Sequence, residues 1–153
     1  MPEDVRLKKL SAYAALMAQS GQYNFSRCVK HGERGAAMLA AAEFVNAACG
    51  EVFLLNRVHM PYYKWRLRSM EGLHILPSLR EALEFLLLSE NDEAGLALKS
   101  AVIEDVCAQV AAELRAQGLS HGTSDYLEPH ALEIAAHIEN PEIRAMHLME
   151  GID

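Results

Sequence analysis

Between Glu51 and Glu71 the chain carries no carboxylate, and that gap holds Asn56-Arg57-Val58-His59-Met60-Pro61-Tyr62-Tyr63-Lys64-Trp65-Arg66-Leu67-Arg68. Four fixed cations, two tyrosines and the only tryptophan fall in this short run, against a formal net charge of -7 for the whole chain. Cationic donors suit phosphate or carboxylate, and the flat rings suit a base or another aromatic face. Lys64 would neutralise the anion, while Tyr62, Tyr63 and Trp65 would stack or form a wall. The competing reading is a solvated basic helix whose rings pack into the core.

Three other groupings carry chemical meaning. His130, Glu133 and His137 lie on one helical stripe at ligand-compatible spacing, with His121 or His147 as a further metal donor. The same pattern is an ordinary polar helix face. Arg68 and His74 satisfy the loose R-x(4 to 6)-H spacing of small helical ribonucleases, a spacing that chance readily supplies, and Gly72 interrupts the helix that should hold both. Arg144 and His147 stand one turn apart near the chain end, so both can point to one side. Phosphate-cradling glycine loops, Walker, HExxH and G-x-S-x-G elements are absent. No catalytic residue, metal ligand or cofactor is therefore assigned.

The elements that must position these residues are helical. The 153 residues suit one domain, 51% of them are hydrophobic, and mean hydropathy sits at zero. The acidic balance opposes broad coating of nucleic acid or anionic membrane. Cys28, Cys49 and Cys107 lack CxxC spacing, so reduced, mostly buried thiols are expected. The start has no apolar leader pattern and no apolar run approaches membrane-spanning length, which makes a cytoplasmic location the expectation.

Apolar spacing is helical throughout, without alternating strand patterns. The first helix opens at Pro2, buries Leu7, Leu10, Ala14 and Met17, and stops before Gly21. Asn24 caps a short helix from Phe25 to His31, which Gly32 ends. Arg34 to about Val58 is apolar nearly all round and must be surrounded. Its polar exceptions Glu43, Asn46, Gly50 and Arg57 form one line, facing either a cavity or solvent, with Gly50 admitting a close helix contact. Further helices run from Tyr62 to Met70, Pro77 to Ser89 and Asn91 or Asp92 to Gln117. Asp125 to Ile138 is divided or kinked at Pro129, and Asn140-Pro141 opens a last helix through Glu150. The spacing predicts an all-α, single antiparallel bundle of about six to eight helices over residues 1–153.

Two blocks, Ala18-Gln19-Ser20-Gly21-Gln22-Tyr23-Asn24-Phe25-Ser26-Arg27-Cys28 and Phe53-Leu54-Leu55-Asn56 with Met60-Pro61-Tyr62-Tyr63-Lys64-Trp65, resemble a helical domain of unknown function that follows a nucleotidyltransferase-like domain in many bacterial and archaeal proteins. The tail from Asp125 to His130 and from Arg144 to His147 is similar more loosely. That family is similar in architecture to the substrate-enclosing helical domains of aminoglycoside-type nucleotidyltransferases. The resemblance implies an accessory role, non-catalytic alone, and a truncated, excised or stand-alone version of the domain. The Gly-Ser turn and D-x-D carboxylates of a nucleotidyltransferase core are not in this sequence.

The ligand-binding set expected on these grounds is Tyr23, Asn24, Arg27, Asn56, Tyr62, Tyr63, Lys64, Trp65, Arg144 and His147, converging on one hollow. A nucleotide or other small anionic ligand, or a nucleotidyltransferase domain, is the expected partner. Membrane and nucleic acid are not expected. The alternatives are a small helical ribonuclease or metal-dependent hydrolase, and a structural homodimerisation module.

Overall fold

Helical periodicity is realised along the whole chain. In the computed structural model, which describes residues 1–152, the elements are α1 (Glu3–Met17), a π-helical segment (Ala18–Phe25), α2 (Ser26–Lys30), α3 (Arg34–Leu55), α4 (Tyr63–Met70), α5 (Leu79–Leu88), α6 (Glu93–Ala116), α7 (Leu127–Ala136) and α8 (Pro141–Ala145). Among the described residues there is no strand, and the architecture is an all-α bundle.

The buried stripes follow the expected spacing. Leu7, Leu10, Ala14 and Met17 of α1, and Leu96, Ile103, Val106, Val110 and Leu114 of α6, are all buried. Glu3 and Asp4 sit in the first turn of α1, where carboxylates oppose the positive end of the helix. Asp92 caps α6 by accepting from the Gly95 N–H, and Asn140 caps α8 ahead of Pro141 at its first position. Gly32 and Gly118 take left-handed φ values of 74° and 69° where α2 and α6 end.

Gly21 behaves differently from the expected stop. The backbone continues through it as a π-helix into α2, and Asn24 lies inside that segment instead of capping a new helix. Gly21 is buried against the Phe44 ring, and a Cβ there would also come within 2.9 Å of Ile103 Cγ2. Its missing side chain serves close packing, not chain reversal. Pro129 likewise does not divide its helix. It falls in the first turn of α7, where its absent N–H has no intrahelical acceptor to lose. The final helix ends at Ala145, short of the expected Glu150.

α1 with its π extension runs antiparallel to α3, α6 and α7. Arg6 Nε donates to Leu54 O and Tyr13 packs on Gly50. Gln22 reaches Glu104 and the Leu127 N–H, while Asp4 accepts from Glu139 and Asn140 at the other end. α4 is the exception to the antiparallel plan. Arg66 meets Asn46 and Met70 meets Cys49, so α4 ascends beside α3 in the same direction.

By length and composition α3 is apolar enough to cross a bilayer, contrary to the expectation that no run reaches that length. Yet 72% of its most apolar window is buried by the surrounding helices, which marks it as the core helix of the bundle. Replacing Gly21 with alanine should destabilise the fold by about 1–3 kcal/mol, because the added methyl must displace the Phe44 ring. Urea unfolding monitored by circular dichroism checks this, with the outer Gly35→Ala change, which meets open space, as the comparison.

Candidate functional site

The residues expected to share one hollow are distributed around α3. Phe44 faces the π segment through Gly21, whereas Asn46 and Cys49 face Arg66 and Met70 of α4. At about 100° per residue, these positions project from roughly opposite sides of α3. The Gln-Tyr-Asn block and the Tyr-Tyr-Lys-Trp block are thus separated by the core helix, and the expected convergence does not occur.

Tyr23 lines a separate depression of about 250 Å³ with Gln19, Tyr126, Glu128, Leu148 and Met149, and Arg27 lies over its ring at 5.0 Å. Asn24 is half-buried in the π segment. Asn56 is engaged within the fold. Its side-chain amide donates to Val52 O and Ile75 O at 2.8 and 2.9 Å and accepts from the Ile75 N–H at 2.8 Å, stapling the segment after α4 to the end of α3. Arg144 donates to Ile138 O beyond α7, and the His147 backbone carbonyl accepts from buried Lys8. That tail lies along α1, not over α4.

Tyr62, Tyr63 and Trp65 are 66%, 60% and 54% exposed, so the rings do not pack into the core. The two tyrosine centroids lie 4.5 Å apart, Arg68 sits over Trp65 at 5.7 Å, and Lys64 is exposed beside them. Arg68 is thereby engaged on the convex side of α4, while His74 is exposed beyond the helix end.

The metal-spaced group is a structural lock. His130 is fully buried, with Nδ1 2.5 Å from Ser120 Oγ and Nε2 2.6 Å from Ser124 O. A carbonyl can only accept, which places a proton on Nε2. Glu133 accepts from the His121 backbone N–H, the His121 ring and the Ser120 hydroxyl, and those bonds hold its carboxyl down at about 2. His137 is exposed. Their donors are committed to fastening the loop before α7, and no group of three or more His, Cys, Asp or Glu is arranged to hold a metal among the described residues.

The largest described hollow lies between α1, α3 and α4 and has a volume of about 440 Å³. Lys9, Tyr13 and Leu16 line it from α1, Glu43, Asn46, Ala47, Gly50 and Leu54 from α3, His59 and Met60 from the connecting loop, and Arg66 from α4. The polar line Glu43, Asn46 and Gly50 therefore does face a cavity, and Gly50 also admits Tyr13. Arg57 leaves that line because α3 ends at Leu55. Val58 N–H bonds to Phe53 O and Arg57 N–H to Leu54 O, closing the helix with Arg57 at φ 57° and its guanidinium on Glu3. Burial raises the Tyr13 hydroxyl and pushes the Cys49 thiol up to about 12, with the Arg66 charge opposing both.

Sequence reasoning missed the buried ionisable groups. Arg6, Lys8, Lys99 and Glu51 are all buried at positions on otherwise apolar helix faces. The three cations reach backbone carbonyls. Glu51 does not: both of its carboxylate oxygens are buried without a hydrogen-bond partner among the described residues. Burial raises its carboxyl well above the usual range, only partly opposed by Arg6.

Comparison with known families is consistent with a helical domain. The family model described as Domain of unknown function (DUF4037) matches residues 1–66. Every lining residue named for the main hollow falls inside that segment. No curated protein and no solved structure matches the chain.

Two substitutions test these local assignments. Asn56→Ala leaves both Ile75 backbone groups without their partner and should cost about 1–3 kcal/mol in urea unfolding. Folded Glu51 holds its proton at pH values where the unfolded chain has lost it. Its contribution is therefore fully present below the ordinary carboxylate pKa near 4.3 and declines as pH rises through the raised folded value. Glu51→Gln should accordingly be more stable than the parent at pH 8 by about 1–3 kcal/mol, with the gap closing toward pH 4.5. Paired urea titrations across that range read the slope.

Proposed function

We propose that this chain is a non-catalytic, accessory helical domain that docks on a nucleotidyltransferase-like catalytic domain through the outer face of α4. The carrying observation is the exposure of Tyr62, Tyr63 and Trp65 beside Lys64 and Arg68. Tyrosine, tryptophan and arginine are the residue types that dominate binding energy at protein interfaces, where a ring fills a pocket and a guanidinium meets an acid. Their convex presentation suits insertion into a partner better than enclosure of a small molecule. The charge pattern supports the same reading, since a local basic surface on an acidic chain orients the encounter with an acidic patch.

The partner class comes from the resemblance of the Gln-Tyr-Asn and Pro-Tyr-Tyr-Lys-Trp blocks. The non-catalytic reading is supported by the commitment of His130 and Glu133 to the loop lock and by the engagement of Arg68 over Trp65.

Trp65 is the only tryptophan, so its fluorescence reports on this face directly. Titration with a nucleotidyltransferase-like catalytic domain encoded in the same genome should shift its emission to the blue as water leaves the ring. Tyr62→Ala should weaken the titration by about tenfold or more, and added salt should weaken it further. Unchanged emission at saturating partner would overturn the docking assignment.

A further inference from the structure

The main hollow contains a charge that the fold itself leaves unanswered. Arg6 and Arg57 pair with Glu3, and Arg80 pairs with Glu71 and Glu84. Arg66 is half-buried, yet no carboxylate lies within ion-pair distance of it among the described residues. Its one side-chain hydrogen bond goes to the neutral Asn46 Oδ1 at 2.8 Å, and its Nε–H is buried without an acceptor. A half-buried guanidinium retains most of its charge but loses much of its hydration, so an arriving anion gains more there than at an exposed lysine.

The surroundings define what else the ligand must be. Lys9 stands in the same lining on α1 and supplies a second cation. Since Arg66 occupies Asn46 Oδ1, the amide NH2 of Asn46 remains as a donor beside it. Along α3 the lining passes from Asn46 to Ala47, Gly50 and Leu54, a rise of about 12 Å at 1.5 Å per residue that turns from polar to apolar. Leu16 and Met60 continue the apolar wall. The volume of about 440 Å³ falls within the roughly 300–1,000 Å³ range of small-molecule pockets.

We infer that the hollow between α1, α3 and α4 is a binding site for a small molecule bearing a phosphate monoester or carboxylate on a compact apolar body, with the anion held by Arg66 and Lys9 and the body against Leu16, Leu54 and Met60. This site is separate from the docking face of α4. Trp65 and Tyr62 are expendable for it, and Arg66 is expendable for docking, so either assignment can fail alone.

Calorimetric titration of the full chain at low salt with phenyl phosphate and, in a second arm, phenylacetate tests the inference and separates the two anion types. Saturable 1:1 binding of either compound is expected. It should weaken by at least about tenfold in Arg66→Gln and in Lys9→Gln, and be unchanged in Lys64→Ala. Inorganic phosphate should bind more weakly than phenyl phosphate, because it leaves the apolar wall uncovered. Lys9→Gln keeps the test decisive if loss of the Arg66 to Asn46 bond unfolds the protein. Absence of saturable binding to both compounds would overturn the site, as would binding that survives both substitutions.

Discussion

The approach of Tyr13 to Gly50 sets the spacing on which the α1, α3 and α4 side of the molecule depends. With no side chain at Gly50, the Tyr13 ring rests directly on the α3 backbone, and any Cβ would overlap it. That contact fixes α1 close enough for Arg6 to reach Leu54 O, and it places Lys9 and Leu16 on the wall facing Arg66. The hollow is what remains where the close approach stops and α4 begins. Packed interiors deform little, so a change in this one spacing would be felt along the whole wall.

Much of the architecture was legible in the spacing of apolar residues. A helix that buries one stripe announces it every three or four positions, and Leu96 through Leu114 did so without ambiguity. Glycine was harder to read. Gly32 and Gly118 end helices through positive φ, while Gly21 and Gly50 are packing positions inside continuous helix, and nothing local distinguishes the two uses. The distinction depends on Phe44 and Tyr13, which come from other elements.

The site was legible in part. The polar line Glu43, Asn46 and Gly50 pointed to the cavity, but its counterparts Lys9, Tyr13 and Arg66 are contributed by two other helices. Tyr62, Tyr63 and Trp65 could equally have been core or surface, because aromatic rings are common in both settings. Asn56 was misread for a related reason. Its amide looks free in sequence, yet Ile75, nineteen residues away, takes both of its functions. Burial of Arg6, Lys8 and Lys99 was invisible because each depends on a backbone carbonyl, a partner that side-chain patterns do not reveal.

The π-helical stretch between α1 and α2 has an implication for how this chain can vary in length. A wider helical turn holds more residues than an α-turn, so losing one residue from Ala18–Phe25 could restore ordinary i to i−4 bonding with little loss of backbone satisfaction. The phase of everything downstream would nevertheless rotate by about 100°, carrying Phe25 away from the interior and turning Arg27 from its ring. Register, and not helicity, is what such an indel would damage at this junction.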